Sequence, residues 1–488
     1  MKKDEIEEER DLIVSQMIKY CDQYKVFFDL DTKLKNYPDF LYDFQVNAIH
    51  KKRQLLIKEK IDIKLKSLFG EHYKNELSVN LDTKLALNIA DHHQVLNHPF
   101  LVSSNIISSV DKLNKDNKQE AIVVISSGDV PPNNYFSKNG FTFHDKRVPL
   151  FSNSERESVS CYLPLRDFDF IKRLKIADKW KDFSEEEQNF LIKERDLIES
   201  YDFSQCKNYT DQITIIIKNS WPRLFEEKLR KNLPELIYIT QEEIVTECLI
   251  DLLKEDNIIS RCIFDEDFKN EVLENFRGIV VTWNEKEEKG THFFWQKHPT
   301  ENKSLRMYVK GNQLVPADER YKDLTINLDR ETIINLLEEK KIYPSLFMIF
   351  AVINFYLGVK PLVGYGSVIY LNLMKNAWIK TLKKFDLQEE MKLVEGVNTN
   401  GLVAGLPLIF KRQDEKLKAL FAYDIFFEGG IKETYLNNIF DIKFKDFLAA
   451  GSVDMYDYVS TKYIPKKVRL SLKSNFDDFV SLTLDSIL

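Results

Sequence analysis

The 488-residue chain has no cysteine pair, no apolar run long enough for a membrane and none of the short strings that mark common nucleotide or hydrolase sites. Its five cysteines, Cys21, Cys161, Cys206, Cys248 and Cys262, are odd in number and widely spaced, with no C-x-x-C. That argues against a disulfide framework and a cysteine zinc site, and for a reducing compartment. The longest apolar run, 345–359, is shorter than the ~20 residues a spanning helix needs, so a buried core helix is expected there. The first ten residues lack the basic-then-apolar pattern of a leader, and a cytoplasmic protein with no membrane partner is the expectation. There is no G-x-G-x-x-G, no G-x-x-x-x-G-K-[ST], no G-x-S-x-G and no H-E-x-x-H, so neither a dinucleotide nor a P-loop nucleotide cofactor is indicated. No fixed-period repeat, low-complexity tract or flexible linker stands out.

What is present points to a packed, folded chain. Apolar residues make up 43% and include 34 Phe and 21 Tyr, while the 30% charged residues mix both signs. Such a composition excludes wholesale disorder, and this length implies more than one packed unit. The net charge of −7 gives no global attraction for nucleic acid, which is not expected as a partner.

The apolar periodicities imply a mixed α/β fold, helix-rich and of α+β or α/β type, with two or three packed subdomains. Texture divides it into a helical region 1–80, an α/β segment 81–180, amphipathic helices followed by a small antiparallel sheet over 181–330, and a helix-rich region 331–488. The helix expected over 50–69 is strongly basic, with Lys51, Lys58, Lys60 and Lys64. Such a face meets phosphates or an acidic partner, or is simply solvated. Helix starts are marked by Ser184 with Glu187 and by Thr240 with Glu243, both in the S/T-x-x-E capping-box pattern. Strands are expected at 277–283, 291–295 and 305–309. Ile122, Val123, Val124 and Ile125 form a β-branched run entering Ser126-Ser127-Gly128-Asp129. This reads as a buried strand opening into a loop, the place where open α/β sheets put ligands.

The stretch 91–145 concentrates the side chains that carry chemistry. Asp91, His92, His93, Asn97 and His98 come first, then Asp129, Asn133, Asn134, His144 and Arg147. Imidazole exchanges protons near neutrality and also ligates metals, so two chemistries are open. In one, His92, His93 or His98 works as acid or base, oriented by Asp91 or Asp129, while Asn97, Asn133, Asn134, His144 and Arg147 hold a small polar substrate. In the other, His93, His98 and Asp129 bind a divalent metal, although their spacing fits no zinc signature. A third reading is purely structural, because Asp, Asn and His also cap helices and shape turns. Oligomeric state and reaction class (hydrolysis, group transfer or isomerisation) are left open. The rival to an enzyme is a non-catalytic interaction module that docks through its helical N-terminal region.

Weaker candidates are His292 and His298 around an aromatic strand, and Gly364-Tyr365-Gly366-Ser367 at a helix start with no clear strand before it. Arg156, Arg166 and Arg277 are further possible clamps for an anion.

Overall fold

The computed structural model describes residues 3–71, 73, 85–113, 121–152, 154–155, 158–413 and 416–484. His72, Arg156 and the polar stretch 114–120 lie outside the described residues.

The fold is mixed α/β and helix-rich, organised on a five-stranded sheet. Its strands are β1 (Ala86–Asn88), β2 (Ile122–Ser126), β3 (Leu236–Thr240), β4 (Lys360–Gly364) and β5 (Leu402–Ala404). They lie in the order β5-β4-β1-β2-β3, and every neighbouring pair is parallel. A parallel sheet needs cover on both faces, which is why β2 and β3 are apolar and buried along their whole length. Each fully buried Val or Ile there contributes about 2 kcal/mol. Helix α3 (Pro99–Leu113) packs on β1, β2 and β5, and α4 (Tyr209–Ser220) on β3. Three of the four segments distinguished by texture supply strands to this sheet, and smaller antiparallel sheets surround it.

The strand order matters most for the site. The chain runs outward from β1 to β2 and β3, then returns to place β4 on the other side of β1. The direction of winding therefore reverses between β1 and β4. Loops leaving the carboxyl ends of those two strands diverge there and leave a crevice.

Helix α1 (Lys3–Tyr20) and helix α2 (Ala48–Phe69) are the long helices at the start of the chain. The basic side of α2 is largely committed within the protein. Arg53 meets Glu390, Lys60 meets Asp251, and Lys64 bridges Asp211 and Glu243, each pair within hydrogen-bond reach. Ile57, Ile61, Leu65 and Leu68 form its buried stripe, while Leu55 and Ile63 are exposed. The apolar run 345–359 is a buried helix, Leu346–Phe350, that widens into a π-helix over Ala351–Tyr356. No helix among the described residues is long and apolar enough to cross a membrane.

Two local expectations need correction. The Ser184–Glu187 capping box forms, but Thr240 makes no capping bond although helix α5 (Gln241–Leu252) begins there. Thr240 is the buried last residue of β3, and Glu243 turns instead to Lys64. The strand expected at 277–283 is a loop. The Trp283 indole donates to the Leu273 carbonyl at 3.0 Å, and Gly278 and Val281 take positive φ, so the segment folds back on the preceding helix. Expected strands 291–295 and 305–309 correspond to Phe294–Lys297, Ser304–Leu305 and Met307–Lys310.

Candidate functional site

A cavity of about 580 Å³ opens where the winding reverses. The segments after four strands meet there: Ala90–His92 after β1, Ser127–Val130 after β2, Tyr365–Ser367 after β4 and Gly405 after β5. Helix α7 (Ser452–Tyr463) closes one side with Asp454, Asp457, Tyr458 and Lys462.

Backbone pairing fixes the centre. Ser127 N–H donates to the Asp91 carbonyl at 2.8 Å, and His93 N–H donates to the Ser127 carbonyl at 2.7 Å. These bonds continue the β1–β2 pairing past the strand ends and set His92 opposite Ser127. Gly128 is required by the close approach of its neighbours. A Cβ there would lie 2.9 Å from Glu242 Oε2 and 3.0 Å from Thr240 Cγ2.

Adjacent imidazoles then take opposite roles. His93 is fully buried, with Nε2 2.8 Å from the Thr210 carbonyl and Nδ1 2.7 Å from Ser126 Oγ. A carbonyl accepts only, so Nε2 carries the proton and Nδ1 accepts from the hydroxyl. Both nitrogens are engaged, and burial holds the ring down to about 4. His92 lines the cavity and is half-buried. Its Nδ1 lies 3.3 Å from Asn134 Oδ1, an atom already accepting from the Phe136 and Ser137 N–H groups, while Asn134 Nδ2 donates to the Pro131 carbonyl. The orientation of Asn134 is thereby set, and His92 Nδ1 must donate. Its Nε2 is left with a lone pair and no hydrogen-bond partner among the described residues. Burial lowers the proton affinity of this ring, and the Asn134 bond partly restores it.

Three carboxyls approach the same centre. Asp91 is a buried part of the cavity wall and accepts from Ser104 Oγ at 3.0 Å and Asn105 Nδ2 at 2.9 Å. Desolvation pushes it up to about 7 against those bonds. Asp129 lines the cavity and accepts from Ser127 Oγ at 2.6 Å. Behind it Glu242, at the start of α5, accepts from the Gly128 N–H at 2.8 Å and the Asp129 N–H at 3.2 Å. Burial, then the charge of Asp129, pushes Glu242 up to about 8, and burial raises Asp129 as well. Two close carboxyls with little water do not both ionise readily, so a proton is retained beside the cavity near neutrality.

The remaining sequence candidates lie elsewhere. His98 sits in a nest of Phe100, Tyr135, Phe136 and Phe421, its Nδ1 accepting from the Phe100 N–H, and borders a separate groove. His93, His98 and Asp129, named for a metal, therefore do not converge. Among the described residues no group of three or more His, Cys, Asp or Glu is gathered to hold a metal ion. Asn97 ties the Phe136 carbonyl to the Thr142 N–H. Asn133 is exposed, and Asn134 acts on His92 rather than lining the cavity. His144 sits in a hairpin turn with Nδ1 2.8 Å from Glu187, beside a different cavity, and Arg147 is an exposed strand residue of that hairpin.

In the other half of the lining, sequence reasoning ranked Gly364–Ser367 low and passed over the rest. Gly364-Tyr365-Gly366-Ser367 does follow a strand, β4, and opens helix α6 (Tyr365–Lys384) onto the cavity. Lys360 and Pro361 at the head of β4 disguised it. No family model, curated protein or solved structure matches the chain.

Proposed function

We propose that this protein is an enzyme that holds a small polar substrate in the switch-point cavity and moves a proton with His92 and Asp129. One observation carries the reading. His92, alone of the three clustered histidines, presents a nitrogen with a lone pair and no hydrogen-bond partner among the described residues while lining a cavity beside a carboxyl. In this scheme His92 Nε2 takes a proton from the substrate, and Nδ1–H stays on Asn134, which keeps the ring in one tautomer. Asp129, sharing a retained proton with Glu242, serves as the acid on the opposite step. The N–H groups in the first turn of α6, which has no side-chain cap, provide donors for a developing negative charge. Hydrolysis, group transfer and isomerisation all use these parts. A bound metal is not needed for any of these steps.

Turnover of a small-molecule library, read by mass spectrometry on the intact protein, tests the proposal. A substrate found this way should be consumed at least about 100-fold more slowly by H92Q and by D129N, with H93Q sparing the chemical step in whatever fraction stays folded. Turnover unchanged in H92Q would end the proposal.

A second reading, docking of a partner protein through the N-terminal helices, draws on Leu12 of α1 and on Ile49, Leu55 and Ile63 of α2, all exposed. Substituting the three α2 residues with Gln should then abolish complex formation in size-exclusion chromatography of a cell extract and leave cavity ligands unaffected.

A further inference from the structure

The lining of the cavity is unbalanced in charge. Asp91, Asp129, Asp454 and Asp457 line it against Lys462, the sole lysine or arginine among the lining residues, and burial holds His92 toward its neutral form. Asp454, Asp457 and Tyr458 fall at i, i+3 and i+4 on α7 and so share one face. That face packs on the first turn of α6, where a Cβ on Gly366 would come within 2.8 Å of the Tyr458 ring. Among the described residues neither Asp454 nor Asp457 forms an ion pair. Instead burial, and after it the charges of Asp457 and Asp477, push Asp454 up to about 6. Holding like charges together over an apolar wall is unfavourable unless something positive joins them.

The wall facing them is aromatic. Tyr135 is 61% exposed, an unusual placement for so large a ring, and it feels the charge of both Asp454 and Asp457. Tyr365 feels the same two carboxylates and meets Tyr458 edge-on, with centroids 5.4 Å apart. Phenol faces beside carboxylates in a crevice are what an alkylammonium group requires. The carboxylates accept its N–H bonds or balance its charge, and the rings offer their negative faces. An anion would meet the Asp454 and Asp457 carboxylates at the same wall.

Resting on the reading of this cavity as a ligand site, we infer that its ligand carries an organic ammonium group, seated between Asp454 and Asp457 of α7 and the rings of Tyr135, Tyr365 and Tyr458. The group enters at the α7 wall, and the rest of the ligand reaches toward His92 and Asp129.

Three probes of one size separate the possibilities: benzylamine, benzyl alcohol and benzoate, titrated into the full-length protein by saturation-transfer NMR. Benzylamine should bind about tenfold or more tightly than benzyl alcohol, with benzoate weakest. D454N/D457N should weaken benzylamine by about tenfold and leave benzyl alcohol within about twofold. If the double variant melts early, D457N alone, at an exposed position, reads the same effect in part. Benzoate binding more tightly than benzylamine, or benzylamine indifferent to these variants, overturns the ammonium assignment. If the bound probe is then expelled by the cavity-filling S367W, the ligand-site reading survives that failure. No saturation transfer to any of the three contradicts both.

Discussion

Two parts of this molecule set histidines among carboxylates and aromatic rings, and they end differently. In the antiparallel region, His292 bonds Glu285 through Nε2 and accepts the Val309 N–H at Nδ1. His298 bonds Tyr321 through Nε2 and accepts the Glu301 N–H at Nδ1. Both rings are buried, with every nitrogen used. At the carboxyl end of the parallel sheet, His93 follows the same pattern, while His92 keeps one nitrogen open to a cavity. Density of titratable groups therefore does not make a site; an unspent valence beside empty space does. Parallel strands supply that space because their loops leave from one edge, whereas hairpins fold back and satisfy their own side chains.

The largest expected effect breaks the comparison at His93. H93A and H292A each remove a buried ring that bonds two partners, Ser126 and Thr210 in one case, the half-buried Glu285 and the Val309 N–H in the other. Each should lower unfolding stability by about 2–4 kcal/mol in urea titrations. A loss below about 1 kcal/mol for H93A would move that ring out of the structural class.

A mid-sized effect lies in the pH dependence. Glu242 binds its proton more tightly folded than unfolded, so the stability it contributes is present at low pH and falls as pH rises toward its folded value of about 8. The buried histidines act in the opposite sense, since their folded affinities are depressed: they cost stability as pH falls below about 6.5 and add no slope above it. Asp91, held at about 7, also falls away by then. Between pH 7 and 8 the decline should therefore trace mainly to Glu242 and its partner Asp129. E242Q should flatten it by up to about 1 kcal/mol per pH unit, measured by chemical denaturation at several pH values. An unchanged slope would separate Glu242 from any retained proton.

The smallest effect sharpens the contrast. His92 has a single hydrogen bond from its ring, so H92Q should change stability by no more than about 1 kcal/mol, while removing turnover. A loss as large as that for H93A would place His92 among the structural histidines.

The sequence made the centre of the candidate site legible and hid its walls. His92, Asp129 and Asn134 lie in one stretch whose texture announces a buried strand and a stiff loop, and the apolar run 122–125 locates β2. The opposite wall arrives from residues far along the chain. β4 begins with Lys360 and Pro361, which read as the end of a helix, and only its parallel partners β1 and β5 make it a strand. Asp454, Asp457 and Tyr458 look like the solvated side of an amphipathic helix until α7 is set against α6. Sorting His92 from His93 was equally beyond sequence, because the choice depends on Thr210 and Ser126 closing over one ring.

Nitrogen-15 NMR of histidine-labelled protein tests the central claim most directly. The account predicts that near neutral pH the His92 ring is neutral, protonated at Nδ1 and bare at Nε2, and that its Nε2 shift moves when a ligand enters the cavity. A ring protonated at Nε2, or one whose shift ignores every ligand that the cavity binds, would contradict it.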